Sequence, residues 1–355
     1  MKTVRLGKTD LKVSRVGMGG IPITRPTEAG AVKVINRALD LGVNFIDTSV
    51  AYGISEGRIG KAIAGRRDQV ILATKTGYDK ARALKWLEVS LQHLRTDYID
   101  LWQFHGVNTF KDYEQILRPG GGMEAAQEAL LAGKIRHIGM SSHNVDVAQK
   151  AIASGYFETI MFPFNFVEND AADKLVPLAR EHDVGFLAMK PFAGGQLKDA
   201  NLTIKYLLQF NNVVLTPGIE KLEEIEEIVD IVNGSWELTS QERQEIDDIR
   251  ARLSPRLCRQ CYYCMSCPQG VFIPGVLYLR VLWGLWPPEW FLSWSYVKRS
   301  VESAKNCDQC GECEEKCPYH LPIREMIVEN IKFYESVAQG KVSKNDCFAD
   351  GEELR

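Results

Sequence analysis

Cysteine is absent before Cys258, and all nine cysteines of this 355-residue chain fall in its last third. A disulfide framework needs an oxidising compartment, yet the N-terminal stretch MKTVRLGKTDLKVS has no apolar run of the kind a secretory signal carries. An uncharged apolar stretch of transmembrane length is lacking too. Charge of one sign is also in short supply. The 43 Lys and Arg against 46 Asp and Glu leave a net charge of −3, which gives no basic footprint for nucleic acid. With 45% hydrophobic and 25% charged residues nothing marks the chain as disordered. These absences predict a soluble, cytoplasmic protein of about two domains, in which clustered cysteines point to metal or cluster ligation.

Short apolar runs recur along the first two thirds: VSRVGMGG (13–20), NFIDTS (44–49), VILATKTG (70–77), IDLWQFHG (99–106), IRHIGMSS (135–142), TIMFPFN (159–165), GFLAMKPF (185–192) and VVLTPGI (213–219). Their near-continuous hydrophobicity fits parallel strands covered on both faces. The segments between them read as amphipathic helices. In EAGAVKVINRALDLG (28–42), for example, Ala31, Val34, Ile35, Ala38 and Leu39 recur at helical spacing. Eight such alternations predict an α/β fold, a (β/α)8 TIM barrel over residues 1–252. A doubly wound open sheet is disfavoured, because no G-x-G-x-x-G follows the first strand.

Barrels of this kind carry their chemistry at the C-terminal ends of the strands. In chain order those ends bear Asp47, Lys75, His105, Ser141 with Ser142, Asn165, Lys190, and Pro217 with Gly218. An acid, an amine and an imidazole thus end three consecutive strands, with Tyr52 shortly after the acid. The stretches RLGKTDLKVSRVGMGG, DTSVAYG, ILATKTG, LWQFHG and IGMSSHN, in this order, resemble the aldo-keto reductases over about residues 3–250. The resemblance implies a catalytic set of Asp47, Tyr52, Lys75 and His105. It implies nucleotide contacts from Gly19, Ser141, Ser142, Asn165, Pro217, Gly218 and the position of Glu224.

The chemistry of the set is coherent. Hydride reduction of a carbonyl needs a proton donor to the developing alkoxide, and a phenol has an ordinary pKa of about 10. A neighbouring lysine cation is expected to lower it, with Asp47 holding that lysine charged and His105 orienting the substrate oxygen. The cofactor end departs from the family pattern. Met189 stands where a tyrosine usually stacks on the nicotinamide, Met161 where a glutamine is usual, and Glu224 where an arginine often meets the 2′-phosphate of NADP. An acid there repels NADP and would accept a bond from an NAD ribose hydroxyl. NAD(P) or a flavin is therefore the expected organic cofactor.

Two cysteine runs follow. CRQCYYCMSCP gives Cys258, Cys261, Cys264 and Cys267, and CDQCGECEEKCP gives Cys307, Cys310, Cys313 and Cys317. The second is the bacterial ferredoxin pattern C-x2-C-x2-C-x3-C-P, and the first is one residue shorter in its last gap. Two 4Fe–4S clusters are expected in a mostly α-helical ferredoxin-like domain, residues 253–355. In two-cluster ferredoxins the fourth cysteine of each run serves the other cluster. That rule pairs Cys317 with Cys258, Cys261 and Cys264, and Cys267 with Cys307, Cys310 and Cys313. Zinc, which also takes C-x-x-C pairs, is the competing metal, and Cys347 fits neither run. Trp283, Trp286, Trp290 and Trp294 crowd the stretch between the runs, either as packing or as a face for a redox partner protein.

Together these features predict an iron–sulfur oxidoreductase of aldo-keto reductase type, acting on a carbonyl or alcohol group of a small molecule with electrons relayed through the clusters. Two alternatives stay open. One is an NAD(P)-dependent carbonyl reductase with structural or redox-sensing clusters, and the other is a non-catalytic electron-transfer adaptor.

Overall fold

The computed structural model describes residues 1–343, so Cys347 lies outside the described residues. The chain divides into two compact units. One comprises Met1–Phe192 with Asp199–Gln244, and the other comprises Ala193–Lys198 with the chain from Glu245 onward. The division thus falls inside the helix Ser240–Leu253, upstream of the change of composition near residue 252.

In the first unit a short antiparallel hairpin, β1 (Thr3–Arg5) and β2 (Lys12–Ser14), precedes eight barrel strands. These are β3 (Met18–Gly19), β4 (Phe45–Asp47), β5 (Ile71–Thr76), β6 (Ile99–Phe104), β7 (Ile135–Ser141), β8 (Thr159–Pro163), β9 (Gly185–Met189) and β10 (Val213–Thr216). Each pairs in parallel with the next in chain order. Isolated parallel bridges Val16–Leu215 and Gly19–Gly218 join the first strand to the last, so the (β/α)8 barrel is nearly closed. Gly19 permits that seam. A Cβ on it would stand 3.1 Å from both the Thr216 and Pro217 carbonyl oxygens, tighter than side chains ordinarily pack.

Strand periodicity decides what fills the barrel. Side chains alternate faces along a strand, and Phe45, Ala73, Leu101, Met161, Leu187 and Val214 meet inside as one buried cluster. Leu6 and Val13 of the hairpin join that cluster, so the hairpin plugs the N-terminal end. Gly7 fits this plug at φ +55°, where a Cβ would lie 2.1 Å from the Gly185 nitrogen. Two residues beyond the apolar layer, on the same face, come Asp47, Lys75 and Gln103. Met161, read from the sequence as a mouth position, lies in the apolar layer. Outside the strands, Ala31, Val34, Ile35, Ala38 and Leu39 are the buried stripe of the helix Glu28–Asp40, as their spacing predicts, and Thr27 caps its N-terminus.

The second unit is helical, with no strand among its described residues. The helices Ile273–Leu277, Leu279–Leu285, Ser295–Ala304 and Ile323–Ala338 enclose their own core, including Val276, Leu279, Trp283, Phe291, Val297 and Ile327. The tryptophans divide between two tasks. Trp283 is buried, whereas Trp290 is 57% exposed and stacks on Trp286 with centroids 5.6 Å apart. Among the described residues no helix is long and apolar enough to cross a membrane.

Candidate functional site

The open end of the barrel gathers the sequence-predicted set. Asp47 ends β4, Lys75 is the penultimate residue of β5, and His105 follows β6 directly. Tyr52 comes from the helical turn Val50–Tyr52, whose first free N–H, that of Ala51, is capped by Ser49 Oγ at 3.1 Å. Lys75 is 1% exposed and Asp47 5%. Lys75 Nζ donates to Asp47 Oδ1 and, at 2.8 Å, to the Thr48 carbonyl. Gln103 Nε2 donates to the other carboxylate oxygen at 2.8 Å. The Asp47 carboxylate is therefore tied on both oxygens, and its position fixes that of the ammonium.

Gln103 escaped the sequence reading. Its signal was its parity with Leu101 and His105 in LWQFHG, which puts it on the inward face, opposite Lys75 in the strand register.

Lys75 Nζ stands 5.0 Å from the centroid of the Tyr52 ring. The His105 ring meets Tyr52 edge-on, with centroids 5.6 Å apart and planes at 80°. Ser49 Oγ lies 3.3 Å from His105 Nδ1. The His105 N–H donates to Thr76 O at 2.9 Å, and Tyr78 OH reaches the His105 and Gly106 carbonyls, each at 2.8 Å. The imidazole is thus held by its backbone as well as by its ring.

Electrostatics corrects one expectation. Burial pushes the Tyr52 phenol above its ordinary value, and the Lys75 cation only partly pulls it back. The phenol accordingly keeps its proton. Burial opposes the charge on Lys75, but Asp47 and Tyr52 outweigh it and hold the ammonium above its usual pKa. Burial, then the Lys75 charge, drives His105 down to about 3, so its imidazole is neutral at physiological pH and can share a hydrogen bond with a neutral oxygen.

The residues expected to hold a nucleotide lie around the same mouth, but several have their side chains engaged. Ser141 Oγ accepts from the Gly106 N–H at 2.8 Å, and Ser142 Oγ donates to Val107 O at 2.7 Å. Buried Asn165 donates to Glu168 Oε2 and Lys190 O, and accepts from the N–H groups of Val167 and Glu168. Gly218 follows Pro217 beneath Pro22, where a Cβ would come within 2.6 Å of Pro22 Cγ. Glu224 Oε2 accepts from the N–H groups of Glu220 and Lys221, capping the helix Leu222–Asn233. That carboxylate satisfies helix-terminal donors.

In the second unit the eight described cysteines are all thiols. A small cavity of about 20 Å³ is lined by Cys264, Cys267, Cys307, Cys310 and Cys313, with apolar Val271 and Ile273. Cys261, Cys264 and Cys317 are buried. Cys264 lies within electrostatic reach of Cys258, Cys261, Cys317 and Cys313. Among the described residues, no three His, Cys, Asp or Glu side chains converge where a single metal ion could sit.

The sequence model of the aldo/keto reductase family matches residues 15–203, and so stops short of the cysteine runs. The chain is 34% identical over 217 residues to the aldo-keto reductase YhdN of Bacillus subtilis, a match covering 56% of this chain and 64% of that protein. It is 29% identical over 259 residues to the uncharacterized oxidoreductase YqkF of the same organism, covering 69% and 82%. Among solved structures, the holo form of the aldo-keto reductase AKR11C1 from Bacillus halodurans aligns with a TM-score of 0.61 at 28% identity, over 70% of this chain and 96% of that one. The barrel fold is shared as well with an aldo/keto reductase from Klebsiella pneumoniae, with a TM-score of 0.59 at 22% identity over 70% and 95%.

Proposed function

The chain belongs to the aldo/keto reductase family, whose sequence model spans more than half of it, and from that premise we propose an iron–sulfur oxidoreductase that acts on a carbonyl or alcohol group of a small molecule. The observation that carries the reading is the buried Asp47–Lys75 ion pair 5.0 Å from the Tyr52 ring, with neutral His105 edge-on to that ring. In the reducing direction Tyr52 gives its proton to the carbonyl oxygen as charge develops there. Lys75 then stabilises the phenolate left behind, and Asp47 and Gln103 keep Lys75 in place. His105 orients the substrate oxygen towards Tyr52. A bound nicotinamide or flavin would supply hydride at the barrel mouth, and 4Fe–4S clusters would supply single electrons.

Residues 253–355 are read as the ferredoxin-like, cluster-holding domain. Cys258, Cys261, Cys264 and Cys317 would hold one cluster, and Cys267, Cys307, Cys310 and Cys313 the other. The cavity that Cys264 and Cys267 of the first run line together with Cys307, Cys310 and Cys313 supports a site shared between the two runs. A zinc site gathers four ligands around one ion, whereas a cubane spreads four thiolates over four irons. A protein redox partner and a cytoplasmic setting belong to the same reading.

An NAD(P)-linked carbonyl reductase with structural or redox-sensing clusters is the second reading, favoured by the complete catalytic set. Turnover of a carbonyl panel with NADH, NADPH and a reduced low-potential ferredoxin, side by side, separates the two. The first reading expects the one-electron donor to sustain turnover. Turnover with the dinucleotides alone, unchanged after the iron is removed, would establish the second.

A further inference from the structure

The barrel chemistry leaves one surface feature of the second unit without a task. Trp283 is sunk in the core at 2% exposure, yet Trp290 is 57% exposed and Trp294 40%. These rings are not scattered. Trp286 stacks flat on Trp290 and meets Trp294 edge-on with centroids 5.9 Å apart, and Trp294 lies 5.6 Å from the ring of Tyr296. The short helix Pro288–Ser293 is anchored by Phe291, which is fully buried, so Trp290 is held at the surface by a fixed backbone. Two cations flank the rings. The Lys298 N–H donates to the Trp294 carbonyl at 3.1 Å, one helical turn on, and Arg299 stands within electrostatic reach of Tyr296. Both residues are exposed, and neither forms an ion pair among the described residues, whereas nearby Lys305 is paired with Glu302 at 2.7 Å. Lys298 and Arg299 against Glu289 give residues 286–299 a net charge of +1, in a chain whose total is −3.

An exposed patch of large apolar rings marks a contact with something else. Indole has a broad apolar body and a single N–H, the combination that collects where hydrocarbon meets water at a bilayer surface. Cations beside it select lipids with negative headgroups. A second copy of the chain docked through the same face would instead set each pair of cations against the other. From this juxtaposition we propose that Trp290, Trp294, Lys298 and Arg299 form a peripheral docking face for a bilayer surface rich in anionic lipid. The indoles enter at headgroup level, and the two cations meet the lipid phosphates. The inference stands apart from the carbonyl and cluster readings, neither of which needs a membrane.

The test is flotation of the full-length protein, prepared without oxygen, with vesicles of phosphatidylcholine alone or mixed with phosphatidylglycerol. The protein should bind the anionic vesicles at least about tenfold more tightly than the neutral ones, and added salt should weaken the attachment. Each cation near an anionic surface strengthens binding about fivefold, so Lys298→Gln with Arg299→Gln should lower the affinity about twenty-five-fold. Trp290→Ser with Trp294→Ser should lower it at least about tenfold, through lost apolar contact. Glu289→Gln should raise it about fivefold, a gain that a damaged fold cannot imitate. Lipids brominated on their acyl chains should quench part of the tryptophan emission of the wild-type chain, and less of it in the double serine variant. Equal binding to both kinds of vesicle, or binding to neither, would overturn the proposal. So would anionic binding that all of these variants leave unchanged, which would place the contact elsewhere. A dimer that the serine changes convert to monomer, with no vesicle binding, would assign the face to a second copy and overturn it too. Turnover is not read in this experiment, so failure of the carbonyl reading would leave its outcome untouched.

Discussion

Replacing Tyr52 with phenylalanine is expected to lower turnover by about two to four orders of magnitude, the usual range for a positioned general acid. Substrate binding should change far less, because the ring that packs edge-on to His105 at 5.6 Å remains. The size of the effect follows from the site's electrostatics. Burial raises the phenol's pKa and Lys75 pulls it back, so the proton is held until an alkoxide develops, and the ammonium is already in place to receive the phenolate. Lys75→Met should act through the same step. The double variant should then lose much less than the sum of the two, as residues working as one unit do. Full activity of Tyr52→Phe with every donor would remove the phenol from the mechanism.

The second large effect is on stability. Asp47→Ala should cost about 3–5 kcal/mol, the loss seen when one partner of a buried ion pair is removed. Lys75 is 1% exposed, and without Asp47 its ammonium keeps only neutral partners, the Thr48 carbonyl and the Tyr52 hydroxyl. The Gln103 amide loses its acceptor as well. Urea unfolding of the single variant, of Lys75→Met and of the double variant gives the pair's coupling directly. The double variant should recover part of the loss, since it leaves no charge buried alone. A cost below about 1 kcal/mol for Asp47→Ala would mean that water reaches the pair, contrary to its burial.

How much of this was written in the sequence varies with the physical signal. The eight strands were legible because parallel strands covered on both faces need continuous apolar runs, and each run contains its strand. That Asp47, Lys75 and His105 meet at one end of the barrel was legible because charge at the end of an apolar run is conspicuous. Gln103 was not. It is uncharged and lies beside more conspicuous residues, and parity along a strand is hard to read when both faces are apolar. Met161 shows the same difficulty from the other side, being one layer deeper than the mouth.

The balance at Tyr52 could not be foreseen either. The cation beside it is visible in the motif, but the depth of burial that outweighs it exists only once the barrel has closed. Glu224 was read for its charge, whereas its bonds to the Glu220 and Lys221 N–H groups give it a capping role. The usual Ser or Thr signature of a capping box is missing, because Lys221 precedes the helix.

The proposed function requires a helical unit that carries clusters beside a carbonyl-handling barrel, and the metal content of the chain tests that union most directly. Iron, zinc and acid-labile sulfide are to be measured on protein prepared without oxygen. Two cubanes on the eight cysteines of the paired runs require about eight iron and eight sulfide per chain. Stoichiometric zinc without labile sulfide would contradict the account.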